Sequence, residues 1–159
     1  MKILVLGLGN DLIGDDGLGI AAARQLRESL ADCAEVDILE TSAAGIALLE
    51  AFMGYDKAVI IDAVKTDAVA PGTVREWKTE ELSEVLAPSP HYAGLPELLA
   101  LAKQMQLDYP EEFAIYSMEA EDPFTIGKGL SPAIQAELPA LIEQVRGRVM
   151  QWVETGAPA

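Results

Sequence analysis

The amino-acid sequence predicts an α/β fold: a three-layer αβα sandwich around a mostly parallel five-stranded sheet, with one edge strand antiparallel. Apolar runs rich in Val, Ile and Leu, typical of strands buried on both faces, alternate along the chain with segments of helical periodicity. The 159 residues, half of them hydrophobic, contain no internal repeat or linker. We therefore expect a single domain spanning residues 1–159.

The first half of the chain contains three predicted strands and two predicted helices. Residues 2–6 form the first apolar run, and the second and third strands are expected at 34–39 and 57–63. A helix follows the first strand, because apolar residues recur there at helical spacing at Leu18, Ala22, Leu26 and Leu30. A second helix is expected at 43–53.

The second half contains the remaining strands and the closing helix. An edge strand with one wet face is expected at 73–78, a buried strand at 112–119, and helices at 79–86 and 95–105. The turn-rich segment 120–130 is expected to cover one rim of a crevice. Ser131 and Pro132 predict the N-cap and first turn of a final helix to about residue 153, which Pro139 should kink or break.

Charge and composition limit the possible partners. The net charge of −15 and the pI near 4.2 argue against nucleic acid or an anionic membrane as the main partner. The chain begins directly with a strand-like run, without a basic region or a cleavage site, and its apolar stretches are too short or too charged to span a bilayer. We expect a cytoplasmic protein that is a monomer.

Acidic side chains follow two of the predicted strands. Asp16 ends the loop after the first strand, and Asp62 ends the third strand, 46 positions later in the chain. In a parallel sheet these two strand ends can face the same crevice. The protein's one histidine, His91, lies in the proline-bracketed segment 87–94. This segment follows a predicted strand, so we expect His91 at the same topological level as Asp16 and Asp62. Structural roles, a turn cap for Asp62 and a surface position for His91, remain alternatives.

Two carboxylates and an imidazole support two kinds of chemistry. They are suitable ligands for a borderline divalent metal such as nickel or zinc, and three ligands leave coordination positions open for water or substrate. Without a metal, one carboxylate could act as a general base while the other orients a water molecule. The residues alone leave both possibilities open.

A nucleotide-binding module of Rossmann type is a further alternative. Gly7 and Gly9 match the start of the G-x-G-x-x-G fingerprint, and Glu40 at the end of the second strand could bind a ribose. Leu12, however, occupies the third glycine position, and the ten-residue stretch from Gly7 to Asp16 is long for a phosphate-binding turn. The fingerprint is therefore incomplete.

Three motifs together resemble the hydrogenase-maturation endopeptidases: ILVLGLGNDLIGDDGLG at the start, IIDAV around Asp62, and SPH with His91 followed later by GLPELLALA. That family removes a C-terminal peptide from the large subunit of NiFe hydrogenases after the metal centre has been loaded. The resemblance implies that Asp16, Asp62 and His91 are the metal-binding and catalytic residues. Four residues are expected to shape the adjoining loop: Gly7, Gly9, Asn10 and Gly17.

The resemblance also implies a cofactor and a partner. The partner is the large-subunit precursor, and the precursor supplies nickel as a substrate-borne checkpoint. Many members carry a glycine-rich turn with a threonine, implicated in substrate choice, after the second strand; here residues 40–45 read ETSAAG, and only Gly45 matches clearly. The identity of the cognate hydrogenase is left open. A maturation chaperone that inspects the metal without cleaving the precursor is a further alternative.

Overall fold

A computed structural model of the protein describes residues 1–78, 81, 91 and 95–156. Within these residues five β-strands and four α-helices form the framework, with a short 3-10 helix at Gly14–Gly17. The strands are β1 (Ile3–Leu8), β2 (Val36–Thr41), β3 (Lys57–Val64), β4 (Val74–Lys78) and β5 (Glu112–Glu119). The helices are α1 (Leu18–Ser29), α2 (Ile46–Phe52), α3 (Leu95–Gln104) and α4 (Pro132–Gly156).

The strands form one sheet in the order β2-β1-β3-β5-β4. The pairs β1–β2, β1–β3 and β3–β5 are parallel, whereas β4 is antiparallel to β5 at the edge. This confirms the predicted fold class, including the antiparallel edge strand. β2 and β3 lie on opposite sides of β1. Successive strands are therefore added first to one side of β1 and then to the other, which makes the position between β1 and β3 a topological switch point. Open α/β sheets bind their ligands at such a point, outside the carboxyl ends of the strands.

Helices cover both faces of the sheet and complete the three layers. On one face α1 and α4 pack in a cluster with Val5, Val59 and Tyr116 of the sheet. On the other face α2 and α3 pack in a second cluster with Leu6 and Ile60. The central strands are therefore buried from both sides, which explains why their sequences are continuously apolar.

Two glycines allow α1 to lie directly against the strands. A Cβ atom at Gly7 would lie 2.2 Å from the main-chain oxygen of Gly19, and a Cβ atom at Gly19 would lie 2.2 Å from the main-chain oxygen of Leu8. No larger side chain fits at either position without moving the main chain. This close contact places the loop between β1 and α1 at the carboxyl ends of β1 and β3.

Most element boundaries differ from the sequence prediction by one to three residues, and β2, expected at 34–39, spans Val36–Thr41. β1 continues through Gly7 to Leu8, beyond the expected end at residue 6. α2 begins at Ile46 instead of residue 43, because Gly45 takes a left-handed conformation (φ 60°) that ends the preceding irregular segment. Pro139 does not break the final helix, which runs as one 25-residue element to Gly156.

Part of the prediction falls where the structure gives no description. The expected helix at 79–86 and the proline-bracketed segment 87–94 lie outside the described residues, apart from Glu81 and His91. Within residues 1–78 and 95–156, none of the helices combines the length and the apolar character that crossing a membrane requires.

Candidate active site

Three side chains with metal-binding capacity meet at the carboxyl ends of β1 and β3. One ligand atom from each of Asp16, Asp62 and His91 lies within 4.8 Å of the other two. These residues come from the 3-10 helix, from β3 and from the segment before α3, so 75 positions of sequence separate the first from the last. The structure thus brings together all three predicted site residues.

The loop after β1 fixes the orientation of Asp16. The main-chain N–H of Asn10 donates to Oδ2 of Asp16 at 2.8 Å, while the Asn10 side chain accepts from the N–H of Leu12 at 3.0 Å. Gly9 has φ 140°, which favours glycine, and lies directly beside the Asp16 main chain. Gly17 also sits against the loop, since its Cβ would lie 2.9 Å from the Cα of Asp11.

Asp62 lies on a rigid element beneath the crevice. It belongs to β3, pairs in register with Ser117 of β5, and its side chain is fully buried. A buried carboxylate is costly in a protein core unless other groups stabilise its charge. Its position between two buried strands gives it little freedom to move, which suits a ligand that must hold a defined geometry.

A main-chain carbonyl orients the half-buried His91. Nδ1 of its ring lies 3.2 Å from the oxygen of Ala43, in the segment before α2. Because a carbonyl oxygen can only accept, Nδ1 carries the proton in this bond, and Nε2 keeps the lone pair that can bind a metal. Such a hydrogen bond on the far side of the ring is typical of metal-binding histidines.

A cavity of about 470 Å³ opens above these residues. Asp16 and His91 line it together with Lys65, which directly follows β3, and with Pro123 and Phe124. The last two residues belong to the turn-rich segment expected to cover the crevice, and their position confirms that expectation. The pKa of Lys65 is raised, chiefly by its bond with Asp67 at 2.9 Å, so its ammonium group stays charged and tethered at the rim.

Comparisons with known proteins identify the family. The family model described as hydrogenase maturation protease matches residues 20–148. The chain belongs to the hydrogenase maturation protease family. It is 31% identical to the hydrogenase 2 maturation protease of Escherichia coli (strain K12) over 149 residues, which are 91% of this chain and 88% of that protein.

Solved structures of this family share the fold. The hydrogenase maturating endopeptidase HybD from E. coli superposes with a TM-score of 0.79 at 29% identity, over 98% of this chain and 94% of that chain. The NiFe hydrogenase maturation protease HybD from Thermococcus kodakarensis gives a TM-score of 0.70 at 30% identity, over 92% and 98%. As a hydrogenase maturation protease, the protein is a hydrolase, an endopeptidase that acts on a polypeptide.

Glu40, which a nucleotide-binding site would need for the ribose, forms ion pairs within the protein. Glu40 accepts from Nε of Arg24 at 3.2 Å and from Nη1 of Arg27 at 2.9 Å. Both arginines are on α1, so Glu40 ties the end of β2 to that helix. Its carboxylate is thereby occupied, which argues further against ribose binding.

Sequence reasoning missed the role of Asp15. Its side chain is fully buried, and it accepts hydrogen bonds from Glu121, Asp122 and Ser131. The hydroxyl of Ser131, expected to cap the final helix, donates to Asp15 at 2.8 Å. The sequence shows two adjacent aspartates, Asp15 and Asp16. Only the fold shows that Asp15 is buried and anchors the turn, whereas Asp16 lines the crevice.

Proposed function

We propose that the protein removes the C-terminal extension of a NiFe hydrogenase large-subunit precursor after nickel insertion. In this proposal nickel arrives as part of the substrate, and Asp16, Asp62 and His91 recognise it. The proximity of the three ligand atoms, all within 4.8 Å of one another, is the observation that carries the proposal. The named activity of the relatives agrees with it.

The donor set fits nickel. Two carboxylate oxygens and one imidazole nitrogen are ligands that a borderline divalent ion accepts, and a three-ligand site leaves positions for groups that the precursor already provides. A divalent ion near a peptide bond polarises its carbonyl oxygen. Recognition and hydrolysis would then depend on the same three side chains, so that precursor without nickel would bind in the wrong geometry for cleavage.

The contacts around the three side chains support this proposal. Asp62 is held by the sheet, the Asn10 N–H fixes Asp16, and the Ala43 carbonyl sets the tautomer of His91. Each ligand therefore has its own support from a different segment. Such preorganisation is what a site needs if it is to discriminate a loaded metal centre from an empty one.

The test is intact-mass analysis of the precursor before and after incubation with the protein. We expect wild type to remove a discrete C-terminal peptide from nickel-loaded precursor and to leave nickel-free precursor intact. Asp62→Ala and His91→Ala should abolish cleavage. Asp32→Ala is the matched control, because Asp32 is an exposed aspartate beyond the far end of α1 and should leave cleavage unchanged.

Each alternative gives a different result. Normal cleavage by either site variant would refute the proposed site. A stable complex of wild type with nickel-loaded precursor, without loss of mass, would point to a metal-inspecting chaperone or to a precursor from the wrong hydrogenase. A second precursor separates these two cases.

A further inference from the structure

Large apolar side chains are exposed beside the crevice. Phe124 and Ile126 are 73% and 80% exposed, the highest values among the large apolar side chains of the described residues, and Leu12 is 66% exposed. We call these three residues the apolar edge. Phe124 also lines the cavity that contains Asp16 and His91, so the edge continues directly into the candidate site.

Hydrogen bonds make the segment that carries the apolar edge rigid. One oxygen of Asp122 accepts from the N–H groups of Phe124 and Thr125, both at 3.1 Å, and the other accepts from the Thr125 hydroxyl at 2.6 Å. Lys128 pairs with the same carboxylate at 3.2 Å. These bonds close the turn on itself and hold it in the conformation that leaves Phe124 and Ile126 exposed.

Asp15 fastens this turn to the loop that contains Asp16. Its Oδ2 accepts from the N–H groups of Glu121 and Asp122 at 3.0 and 2.9 Å, and its Oδ1 accepts from the N–H of Ser131 at 2.7 Å. Every one of these partners is a donor, which suits a carboxylate and not an amide. The two ends of the turn, 121–122 and 131, are thus held at one buried point.

A short backbone pairing completes the connection. The N–H of Gly127 donates to the carbonyl of Leu12 at 2.8 Å, and Ile13 and Ile126 form an antiparallel bridge. Leu12 and Ile126 therefore lie on adjoining strands of main chain. This main-chain pairing ties the loop that contains Leu12 to the turn that contains Phe124 and Ile126, so both loops contribute residues to the apolar edge.

The chemistry of the apolar edge indicates its partner. The two charged residues of segment 122–128, Asp122 and Lys128, neutralise each other, so this part of a strongly acidic protein presents little net charge. A fixed, uncharged, apolar surface fits an apolar partner. Since the protein is an endopeptidase, the molecule that must pass along the crevice is a polypeptide.

We propose that Leu12, Phe124 and Ile126 dock an apolar stretch of the precursor polypeptide next to the bond that is cleaved. This inference rests on the proposed function for the identity of the precursor. The edge would contribute to binding of the polypeptide and not to the chemistry of the metal site. Substitution there should therefore raise KM and Kd, while kcat stays close to the wild-type value.

The first measurement is cleavage kinetics of nickel-loaded precursor with the double variant Phe124→Ser/Ile126→Ser. We expect KM to rise at least tenfold and kcat to change less than twofold. Met105→Ser is the matched control, because Met105 is 60% exposed just beyond the far end of α3, and it should leave both constants unchanged. Phe124→Leu/Ile126→Val, which keeps the apolar character, should restore KM to within about threefold.

The second measurement separates the docking edge from the proposed function. It is the Kd of each protein for nickel-free precursor, which does not depend on cleavage. A Kd raised at least tenfold by the double serine variant would support the edge even if wild type failed to cleave, in which case the proposed protease function alone would fall. Three results would overturn the proposed docking role of the apolar edge. They are no binding of precursor by wild type, an unchanged Kd in the double serine variant, or a wild-type dimer that the double variant no longer forms.

Discussion

The main-chain oxygen of Asp16 occupies the space beside Gly9 so closely that a Cβ atom on residue 9 would lie 1.9 Å from it. Gly9 also has φ 140°, a conformation that side chains rarely permit. Gly9→Ala should therefore push Asp16 away from Asp62 and His91. We expect precursor cleavage to fall about 100-fold, since a displacement of about 1 Å in a catalytic group has that effect. Cleavage kinetics measure it directly.

A second glycine substitution provides the control. Gly147 lies in α4, and a Cβ atom there would meet nothing within 4 Å. Gly147→Ala should leave cleavage unchanged and raise the free energy of unfolding by about 0.5–1 kcal/mol, because alanine loses less entropy than glycine in a helix. Equal loss of cleavage in both variants would mean that the effect of Gly9→Ala is not local.

Stability and function should oppose each other at Asp62. Its buried carboxylate has an oxygen within 4.8 Å of one from Asp16, and two negative charges at this distance repel each other. Asp62→Asn keeps the shape of the side chain and removes one charge. We expect the thermal midpoint to rise by a few degrees while nickel-dependent cleavage falls at least about 100-fold. A thermal melt and a cleavage assay on the same sample test both effects.

A clear drop in the thermal midpoint of Asp62→Asn would contradict this interpretation. It would mean that the Asp62 carboxylate is needed for the fold and not kept for the site. Asp32→Asn, at an exposed position, should change neither quantity.

The sequence predicted the sheet well because the signal for buried strands is local. The predicted strand at 112–119 has the observed bounds of β5, and the third strand differs by one residue. An apolar run of five to eight residues flanked by turns permits few alternatives to a central strand in an α/β protein. The convergence of Asp16 and Asp62 followed from the parallel topology, since strand order determines which loops share a crevice.

The details around the site could not be predicted, because they depend on contacts between distant segments. Ala43 and Ala44 are good helix formers, yet the Ala43 carbonyl bonds with the His91 ring and Gly45 turns the chain. Likewise, Asp15 accepts hydrogen bonds from Glu121 and Ser131, which lie 106 and 116 positions later in the sequence. No local pattern distinguishes the buried anchoring Asp15 from the half-buried Asp16 beside it.

Pro139 gives a prediction about the final helix. It lies on the exposed side of α4, well inside the helix, where proline removes a main-chain donor and crowds the preceding turn. Pro139→Ala should raise the free energy of unfolding by about 1–3 kcal/mol, the range expected for removing a proline from a helix interior. Chemical denaturation measures this change. Lower stability of the variant would show that the fixed φ of proline is required there.

The turn that supports the apolar edge should depend on pH through Asp122. The Thr125 hydroxyl and the Phe124 N–H, aided by Lys128, hold the pKa of the Asp122 carboxyl well below its ordinary value of 3.8. A pKa that is lower in the folded state means that this carboxylate stabilises the fold at pH values above the unfolded-state pKa. The contribution is lost as the pH falls through the folded-state pKa.

Thermal midpoints of wild type and Asp122→Asn, measured from pH 7 to pH 3, test this dependence. Asparagine cannot carry the charge at any pH, so the variant should melt at a lower temperature than wild type at pH 7, and the gap should narrow below about pH 4. The same comparison with Asp32→Asn corrects for the general effect of acid on a protein of net charge −15. A gap that stays constant down to pH 3 would mean that Asp122 acts through its shape and not through its charge.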